Sequence, residues 1–315
     1  MKIVALDAAT LGADIDLSPI RVLGDLVAYD VSVEEEIPER VENADVILVN
    51  KLKMNERTLH GAKNLKLILE TATGYDNIDT AYCAMRGIAV CNVPAYSTDS
   101  VAQVTLSMAL ALTTHLFAYR DHVNSGAYTK EGVANRLSPV YHEISSMTWG
   151  VVGGGNIGRR VAEIAKALGC RVLVCRKSVE TVFENADLDT LCREADIISL
   201  HVPLTPETKG MITKERIGMM KRNAILINVA RGAVCDEAAL AEAIERGELG
   251  GLGVDVFATE PFSAEHPFSY IMHRENVCLT PHMAWGASEA RARCLGTCAE
   301  NMKAFFAGER QNRVV

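Results

Sequence analysis

A glycine-rich turn placed between a strand and a helix is the feature that most constrains how this chain folds. Residues 148–152 form a short apolar run that predicts a buried strand, and residues 153–158 (GGGNIG) follow it directly. A helical pattern covers residues 159–168, and a β-rich run covers residues 171–174. This order of strand, turn, helix and strand predicts a βαβ unit that binds a dinucleotide at its G-x-G-x-x-G turn.

The three motif glycines have separate predicted tasks. In chain order, Gly153 allows a tight turn, Gly155 allows the backbone to approach a pyrophosphate, and Gly158 allows the helix to pack closely against the strand. The N-terminus of the helix adds free N–H groups and a partial positive charge that favour the phosphates.

The end of the second strand indicates which dinucleotide binds. NAD sites usually place Asp or Glu there to accept hydrogen bonds from a ribose. This chain instead has Arg176 followed by Lys177, with Arg176 lying 18 residues past Gly158. An arginine can pair with a 2′-phosphate, an interaction worth about 1.5–3 kcal/mol. We therefore predict a preference for NADP(H), with NAD(H) as the alternative cofactor if the two basic residues are only solvated loop charges.

Length and composition narrow the class of protein. A chain of 315 residues suggests about two domains, and a net charge of −8 without a block of basic residues argues against nucleic acid or an anionic membrane as a partner. Nine scattered cysteines without a C-x-x-C pair predict reduced thiols in a cytoplasmic protein and no metal site. Residues 101–119 are apolar but interrupted by polar residues, which predicts a buried helix instead of a membrane span.

Strand and helix patterns alternate along the rest of the chain. This alternation predicts an α/β fold with parallel sheets. Only one glycine motif is present, so we expect only the central domain to bind the cofactor. The clearest further strands are predicted at residues 46–49, 65–69, 88–90, 195–200, 224–228, 253–256 and 277–279, and helices at residues 56–60, 79–85, 237–246 and 287–307.

Polar residues follow three of the predicted strands. Arg231 follows one strand, Asp255 and Glu260 follow another, and His282 follows a third. Ligands bind at the carboxyl edge of open α/β sheets, where these residues are expected. A nicotinamide-dependent 2-keto-acid reductase requires an arginine that binds carboxylate, an imidazolium that protonates the carbonyl, and a carboxylate that stabilises this imidazolium. His201, which ends another strand, is predicted to order the backbone and not to transfer a proton.

Over essentially its whole length the chain resembles the D-2-hydroxyacid dehydrogenase family. The resemblance implies two Rossmann-like domains with the active site in the cleft between them. A substrate-binding domain would comprise residues 1–94 and 286–315, and the dinucleotide-binding domain residues 95–285. The matching segments are residues 73–79, 92–102, 153–158, 200–208, Arg231, residues 255–261 and His282.

The resemblance also implies a role for each matching residue. Arg231 would bind the substrate carboxylate and polarise the keto oxygen, His282 would be the acid/base, and Glu260 would be its partner. Asp255 would hold the nicotinamide carboxamide. The remaining implied cofactor contacts are Asn156 and Ile157 at the pyrophosphate, Val202, Pro203 and Thr208 near the adenosine half, and Val229 and Ala230.

Loops of the first domain carry the implied substrate contacts. Gly74 and Tyr75 resemble a second clamp on the substrate carboxylate, and Tyr96 is either substrate-lining or structural. The loop with Lys51, Leu52 and Lys53 resembles the hydroxypyruvate and glyoxylate reductase branch, as does Trp285. Lys53 is a departure, and it is either a solvated charge or a residue that attracts a second anionic group on the substrate.

These observations predict a cytoplasmic reductase of glyoxylate or hydroxypyruvate that uses NADPH and yields D-2-hydroxy acids. The resemblance implies a homodimer that packs through residues 100–119 and the segment after them. Two alternatives within the family are an NAD-dependent D-lactate dehydrogenase and a 3-phosphoglycerate dehydrogenase. An alternative of another class is a dinucleotide-sensing, corepressor-like binding protein.

Overall fold

The structure is a computed structural model that describes residues 1–176 and 182–315, and its twelve parallel strands form two sheets. The strands are β1 (Lys2–Ala5), β2 (Asp25–Ala28), β3 (Val46–Val49), β4 (Leu67–Glu70), β5 (Ala89–Cys91), β6 (Thr148–Val152), β7 (Arg171–Cys175), β8 (Glu184–Asn185), β9 (Ile197–Leu200), β10 (Ile225–Asn228), β11 (Gly251–Val254) and β12 (Val277–Leu279).

Helices connect most of these strands within the described ranges. They are α1 (Ser18–Arg21), α2 (Ile37–Arg40), α3 (Glu56–Leu59), α4 (Thr80–Met85), α5 (Thr98–Thr113), α6 (Leu116–Asn124), α7 (Ala127–Glu131), α8 (Asn156–Ala167), α9 (Leu188–Glu194), α10 (Lys214–Met219), α11 (Glu237–Glu245) and α12 (Ser288–Phe306).

The strands belong to two sheets, and the chain divides into two compact units. Unit 1 comprises Met1–Ser97 and Trp285–Val315, and it holds a five-stranded sheet in the order β2-β1-β3-β4-β5. Unit 2 comprises Thr98–Ala284 and holds a seven-stranded sheet in the order β12-β11-β10-β9-β6-β7-β8. The predicted α/β class with two parallel sheets is confirmed.

Both faces of each sheet are covered, as expected for parallel sheets. In β4, Leu67 and Leu69 join one core cluster of unit 1, whereas Ile68 joins the cluster on the opposite face. In β6, Trp149 packs into one cluster of unit 2 and Val152 into the other. The side chains that carry polar chemistry are therefore expected at the ends of the strands.

The order of strands in unit 2 reverses beside β6. The chain runs from β6 outward through β7 and β8, and then returns to β9 on the other side of β6. Such a reversal opens a crevice at the carboxyl ends of the strands, where α/β sheets bind ligands. The glycine turn of residues 153–158 begins directly after β6 and lies at this point of the sheet.

The prediction of one continuous helix over residues 101–119 is wrong. The structure ends α5 at Thr113 and begins α6 at Leu116, with a 65° bend between the two helices. His115 has a left-handed backbone with φ of +50°, and the Thr113 and Thr114 hydroxyls donate to carbonyl oxygens one turn back. Hydroxyl bonding of this kind bends helices.

Among the described residues, no single helix is long and apolar enough to cross a membrane, although the bent pair α5–α6 passes by length and composition alone. Much of α5 is buried within unit 2.

Candidate active site and cofactor-binding turn

The glycine turn after β6 is packed at two of its glycines and open at a third. Gly153 has φ of +104°, and a Cβ on it would lie 2.5 Å from the carbonyl oxygen of His201. A Cβ on Gly158 would collide with the carbonyl oxygen of Gly153. A Cβ on Gly155 would meet no described atom within 4 Å. The turn is therefore tight, with its helix close to the strand, and it leaves space in front of Gly155.

The start of α8 completes an anion-binding cradle. Gly155 is the N-terminal cap of this helix and provides no side-chain acceptor for its first N–H groups. The first turn also carries no acidic residue. Unsatisfied N–H groups at a helix N-terminus attract phosphates. These residues, with Asn156 and Ile157 in the first turn, fit the pyrophosphate of a dinucleotide.

Arg176 lies across this turn from the end of β7. Its Cδ atom would lie 2.5 Å from a Cβ placed on Gly154, so the side chain extends over the turn. Arg176 and Arg159 both line a cavity of about 370 Å³, together with Phe183. The cavity thus has two cationic side chains beside the glycine turn. The predicted contact Lys177 lies outside the described residues.

Residues predicted near the adenosine half form a closed turn after β9. The Thr208 hydroxyl donates to the carbonyl oxygen of Pro203 at 2.6 Å and accepts from the N–H of Thr205 at 2.8 Å. Val202 packs near Gly153, with its Cγ1 3.0 Å from a Cβ placed there. Thr208 has a structural task in this turn, and its contact with a cofactor stays a prediction.

His282 and Glu260 form a close pair beyond the ends of β12 and β11. The His282 Nδ1 atom lies 2.6 Å from the Glu260 Oε2 atom. The other carboxylate oxygen of Glu260 accepts a hydrogen bond from the N–H of Phe257 at 2.9 Å. The His282 side chain is 21% exposed, so a small molecule can reach its ring. A cavity of about 940 Å³ opens beside the pair, and Phe262 also lines it.

Asp255 holds the segment that carries His282. Its carboxylate is 1% exposed and accepts hydrogen bonds from the Thr280 hydroxyl at 2.5 Å and from the N–H groups of Met283 and Ala284 at 2.8 and 2.9 Å. His282 has a left-handed backbone with φ of +52°, which costs a non-glycine residue about 1–2 kcal/mol. The hydrogen bonds to Asp255 offset this strain in the backbone of His282. The predicted contact of Asp255 with a nicotinamide stays a prediction.

A buried asparagine shapes the turn that carries Arg231. Asn228 is 2% exposed, and its side chain accepts from the N–H of Ala230 and donates to the carbonyl oxygen of Arg231, both at 3.0 Å. Arg231 Nη1 donates to the carbonyl oxygen of Ala230 at 2.8 Å. Val229 is half-buried and Ala230 is buried. Asn228 was not predicted from the sequence, where its signal is a polar residue that ends the apolar run of β10.

The turn of Arg231 and the loop of Glu260 touch through their backbones. A Cβ on Gly232 would collide with backbone atoms of Phe257 and Ala258. Glu237, at the start of α11, accepts from the N–H of Ala258 at 3.0 Å and pairs with His266 Nε2 at 3.0 Å. This second acid–histidine pair was not predicted from the sequence, because its members are 29 residues apart and their contact depends on the fold. Arg231 and Glu260 therefore lie on adjoining segments.

The predicted substrate loops lie in unit 1. The Lys51 and Lys53 side chains are exposed, whereas Leu52 is half-buried against the core. Tyr75 is exposed, and Gly74 is half-buried. The loop of residues 50–54 and the segment of residues 74–79 are joined by backbone hydrogen bonds at Met54. The structure thus brings the predicted substrate loop of Lys51, Leu52 and Lys53 next to the predicted carboxylate clamp of Gly74 and Tyr75.

Tyr96 and Trp285 have edge-to-face rings whose centroids are 6.3 Å apart in unit 1. Tyr96 is only 6% exposed and belongs to the core, so a structural role for Tyr96 has stronger support than a substrate-lining one.

Among residues 1–176 and 182–315, no group of three or more His, Cys, Asp or Glu side chains is arranged to hold a metal ion.

Comparison with known proteins decides the family. Residues 106–284 match the family described as D-isomer specific 2-hydroxyacid dehydrogenase, NAD binding domain. The chain belongs to the D-2-hydroxyacid dehydrogenase family. The glycine turn, Arg231, Glu260 and His282 all lie within unit 2, which contains the matched region.

Relatives of this dehydrogenase span most of its length. A glycerate dehydrogenase of Methylorubrum extorquens is 38% identical over 89% of this chain and 88% of its own. A hydroxypyruvate reductase of Blautia hydrogenotrophica is 32% identical over 100% of this chain and 99% of its own. Among solved structures, an acyclic imino acid reductase in complex with NADPH and D-Arg is 28% identical, with a TM-score of 0.86 and full coverage of both chains.

Proposed function

We propose that this dehydrogenase reduces glyoxylate or hydroxypyruvate to the corresponding D-2-hydroxy acid and prefers NADPH. The observation that carries the proposal is the 2.6 Å contact between His282 and Glu260, on a loop that adjoins the turn of Arg231. The names of two relatives, a glycerate dehydrogenase and a hydroxypyruvate reductase, support these substrates.

In the proposed mechanism, His282 donates a proton to the keto oxygen of the substrate. Arg231 binds the substrate carboxylate through its guanidinium, which suits paired hydrogen bonds to such a group. Glu260 stabilises the protonated imidazole and holds its Nδ1 side, so that Nε2 is directed away from the carboxylate. A reduced nicotinamide cofactor, held at the glycine turn of residues 153–158, would supply the hydride for the carbonyl carbon.

The two units have separate proposed tasks. We infer that residues 95–285 bind the dinucleotide, because this region contains the open glycine turn and the N-terminus of α8. Residues 1–94 and 286–315 are proposed to bind the keto acid through the loop of Lys51, Leu52 and Lys53 and through Gly74 and Tyr75. Support for this comes from the hydrogen bonds that join these two loops.

The proposed preference for NADPH rests on the cationic lining beside the glycine turn. Arg176 extends over Gly154, and Arg159 lines the same cavity of about 370 Å³. A guanidinium cannot accept a hydrogen bond from a ribose hydroxyl, but it binds a phosphate. NADH stays the alternative cofactor.

A parallel set of turnover assays tests the proposal. NADPH and NADH oxidation would be followed with hydroxypyruvate, glyoxylate, pyruvate, 2-oxoglutarate and a phosphorylated keto acid. Fast NADPH turnover with the first two substrates is expected. Pyruvate or the phosphorylated acid as the best substrate, with NADH, would favour the D-lactate or 3-phosphoglycerate dehydrogenase alternative. Tight binding of NADPH without turnover would favour the dinucleotide-sensing alternative.

A further inference from the structure

Three polar side chains are buried at the carboxyl ends of adjacent strands in unit 1, and the proposed chemistry uses none of them. Asp7 lies just beyond β1, Asn50 just beyond β3, and Glu70 ends β4. Their exposed fractions are 8%, 6% and 0%. Burial of such groups is costly unless they make hydrogen bonds, so their contacts indicate what they hold.

Asp7 holds the substrate loop from its N–H side. Its Oδ2 atom accepts from the N–H of Lys51 at 2.8 Å and from the N–H of Asn50 at 3.1 Å. Two successive N–H groups that point at one carboxylate fix the direction of this part of the loop. The conformation at Lys51 therefore depends on a group that lies beneath the loop.

Asn77 holds the same loop from its carbonyl side. Its Nδ2 atom has two N–H bonds, which are shared among three acceptors: the carbonyl oxygens of Leu52 at 3.1 Å and of Asn50 at 3.3 Å, and Glu70 Oε2 at 3.0 Å. Its own carbonyl oxygen accepts from the N–H of Met54 at 2.9 Å. Asn77 comes two residues after Tyr75, so this one side chain connects the loop of Lys51 to the proposed carboxylate clamp of Gly74 and Tyr75.

Glu70 anchors the amide of Asn77 from below. Burial raises the pKa of the Glu70 carboxyl well above its usual value, which favours the uncharged acid. An uncharged carboxyl still offers an oxygen acceptor to Asn77. The other oxygen, Oε1, is buried and has no hydrogen-bond partner among the described residues. The contact with Asn77 is therefore the main polar contact of this carboxyl.

We propose that Asn77, anchored by Glu70, is a positioning residue that holds residues 50–52 and residues 74–75 in the geometry that binds the keto acid. This inference rests on the proposed function, in which both segments contact the substrate. Displacement of a substrate-positioning segment by about 1 Å can reduce activity about 100-fold. The loss of Asn77 should therefore affect the keto acid and not the dinucleotide.

The first experiment compares Asn77→Ala with the wild-type chain. KM and kcat for hydroxypyruvate, the Kd of NADPH and the melting temperature would be measured. We expect a rise in KM of at least about tenfold, with the Kd of NADPH within about twofold, because the glycine turn lies in the other unit. Asn276→Ala is the matched control, since Asn276 also donates to a carbonyl oxygen, that of Gly250, but lies in unit 2.

A KM for Asn77→Ala within twofold of the wild-type value would overturn the inference while leaving the proposed function intact. Equal weakening of keto-acid and NADPH binding would also overturn it, because that result indicates general loss of structure. If the wild-type chain turns over none of the keto acids, the proposed function itself fails, and the inference fails with it.

A second pair of variants tests the anchor without removing Asn77. Glu70→Gln keeps an oxygen acceptor for the Asn77 amide, whereas Glu70→Leu removes it at similar volume. We expect KM for hydroxypyruvate to stay within about threefold in Glu70→Gln and to rise about tenfold or more in Glu70→Leu. Equal KM values in the two variants would contradict the role of Glu70 as the anchor.

Discussion

At the scale of single residues, His282 is fixed by two carboxylates with different tasks. Glu260 contacts the ring, whereas the Asp255 carboxylate accepts from the Thr280 hydroxyl before His282 and from the N–H of Met283 after it. This division separates chemistry from support, because only Glu260 lies where its charge can stabilise a protonated ring. Substitution of Glu260 should therefore affect turnover more than folding.

We expect Glu260→Gln to lower kcat for hydroxypyruvate by about 100-fold, in the range typical of general acid–base catalysis. The two carboxylate oxygens of Glu260 contact the N–H of Phe257 and the ring of His282 at the same time. Glutamine has only one acceptor oxygen and no charge, so it cannot replace both contacts. Stopped-flow and steady-state kinetics would measure the loss, with the Kd of NADPH expected within twofold. Glu265→Gln, at an exposed residue five positions away, is the control. Equal kcat values in the two variants would contradict the proposed role of Glu260.

Arg176 should determine which dinucleotide the chain prefers. We expect Arg176→Asp to shift the ratio of kcat/KM for NADPH to that for NADH by about 10- to 100-fold toward NADH, since a charge-assisted contact with a phosphate contributes about 1.5–3 kcal/mol. Arg310→Asp makes the same charge change at an exposed residue of unit 1. A shift of similar size in both variants would indicate a general effect of net charge and not a contact with the 2′-phosphate.

His201 should make the stability of the chain sensitive to acid. Burial lowers the pKa of His201 to about 3, and both ring nitrogens lack a hydrogen-bond partner among the described residues. Between pH 3 and the usual histidine value of 6.5, the unfolded chain binds a proton that the folded chain does not. The stability from the neutral ring is thus present above pH 6.5 and is lost as the pH falls, by about 1.4 kcal/mol per unit.

Urea unfolding at pH 7 and pH 5 would measure this effect. The wild-type chain should lose about 2 kcal/mol more free energy of unfolding than His201→Gln over this interval. His142→Gln, at an exposed histidine, should behave as the wild type does. A His201→Gln variant with the same pH dependence as the wild type would show that folding does not lower the pKa of this ring.

At the scale of elements, the junction of β6 and α8 contains two glycines that are constrained for different reasons. Gly158→Ala would force its methyl group into the carbonyl oxygen of Gly153, so we expect a lower melting temperature and weaker NADPH binding. Gly155→Ala meets open space, so we expect an almost unchanged melting temperature but a Kd for NADPH raised about tenfold or more. Calorimetry and fluorescence titration would separate the two outcomes. Unchanged NADPH binding in Gly155→Ala would contradict the pyrophosphate site.

The same junction explains which parts of the fold the sequence predicts well. The strand at residues 148–152 and the helix after the glycine turn depend on local patterns, and the structure confirms both as β6 and α8. Edge strand β2 was not predicted, because its residues are mostly exposed and have no buried alternation. The prediction of a single helix at residues 101–119 was wrong, since the left-handed backbone of His115, which breaks it, leaves no clear sequence signal.

The candidate site shows the same limit. Arg231, Glu260 and His282 could be proposed from sequence because each follows a recognisable strand. Asn228, Glu237 and Asn77 could not be given their contacts, because their partners depend on backbone positions that only the folded chain defines. Residues proposed to touch the substrate are easier to predict than the residues that hold them in place.

At the scale of the whole molecule, the two units provide separable readouts for the proposed reaction. Changes at the glycine turn of unit 2 should alter the affinity for the dinucleotide, and changes at Asn77 of unit 1 should alter KM for the keto acid. The division follows from the contacts, because each network is formed within its own unit. A variant that alters both readouts equally would point to global destabilisation.

Exposed apolar side chains on unit 2 support the proposed homodimer. They are concentrated between α5 and β6, where they are Leu116, Val123, Tyr128, Val133, Leu137, Val140 and Tyr141. Monomeric proteins seldom expose many large apolar side chains in one region unless it is an interaction site. We therefore propose that a second copy of the chain covers this segment.

Light scattering coupled to size-exclusion chromatography would test the dimer. The wild-type chain should elute at twice its mass of 34.2 kDa, and Leu137→Asp with Val140→Asp should elute as a monomer, because two charges are costly to bury at an apolar interface. Val31→Asp with Val33→Asp, at two exposed valines of unit 1, should leave the dimer intact. A wild-type monomer would refute the dimer. A dimer that persists in the Leu137 and Val140 variant but is lost in the Val31 and Val33 variant would place the interface elsewhere on the chain.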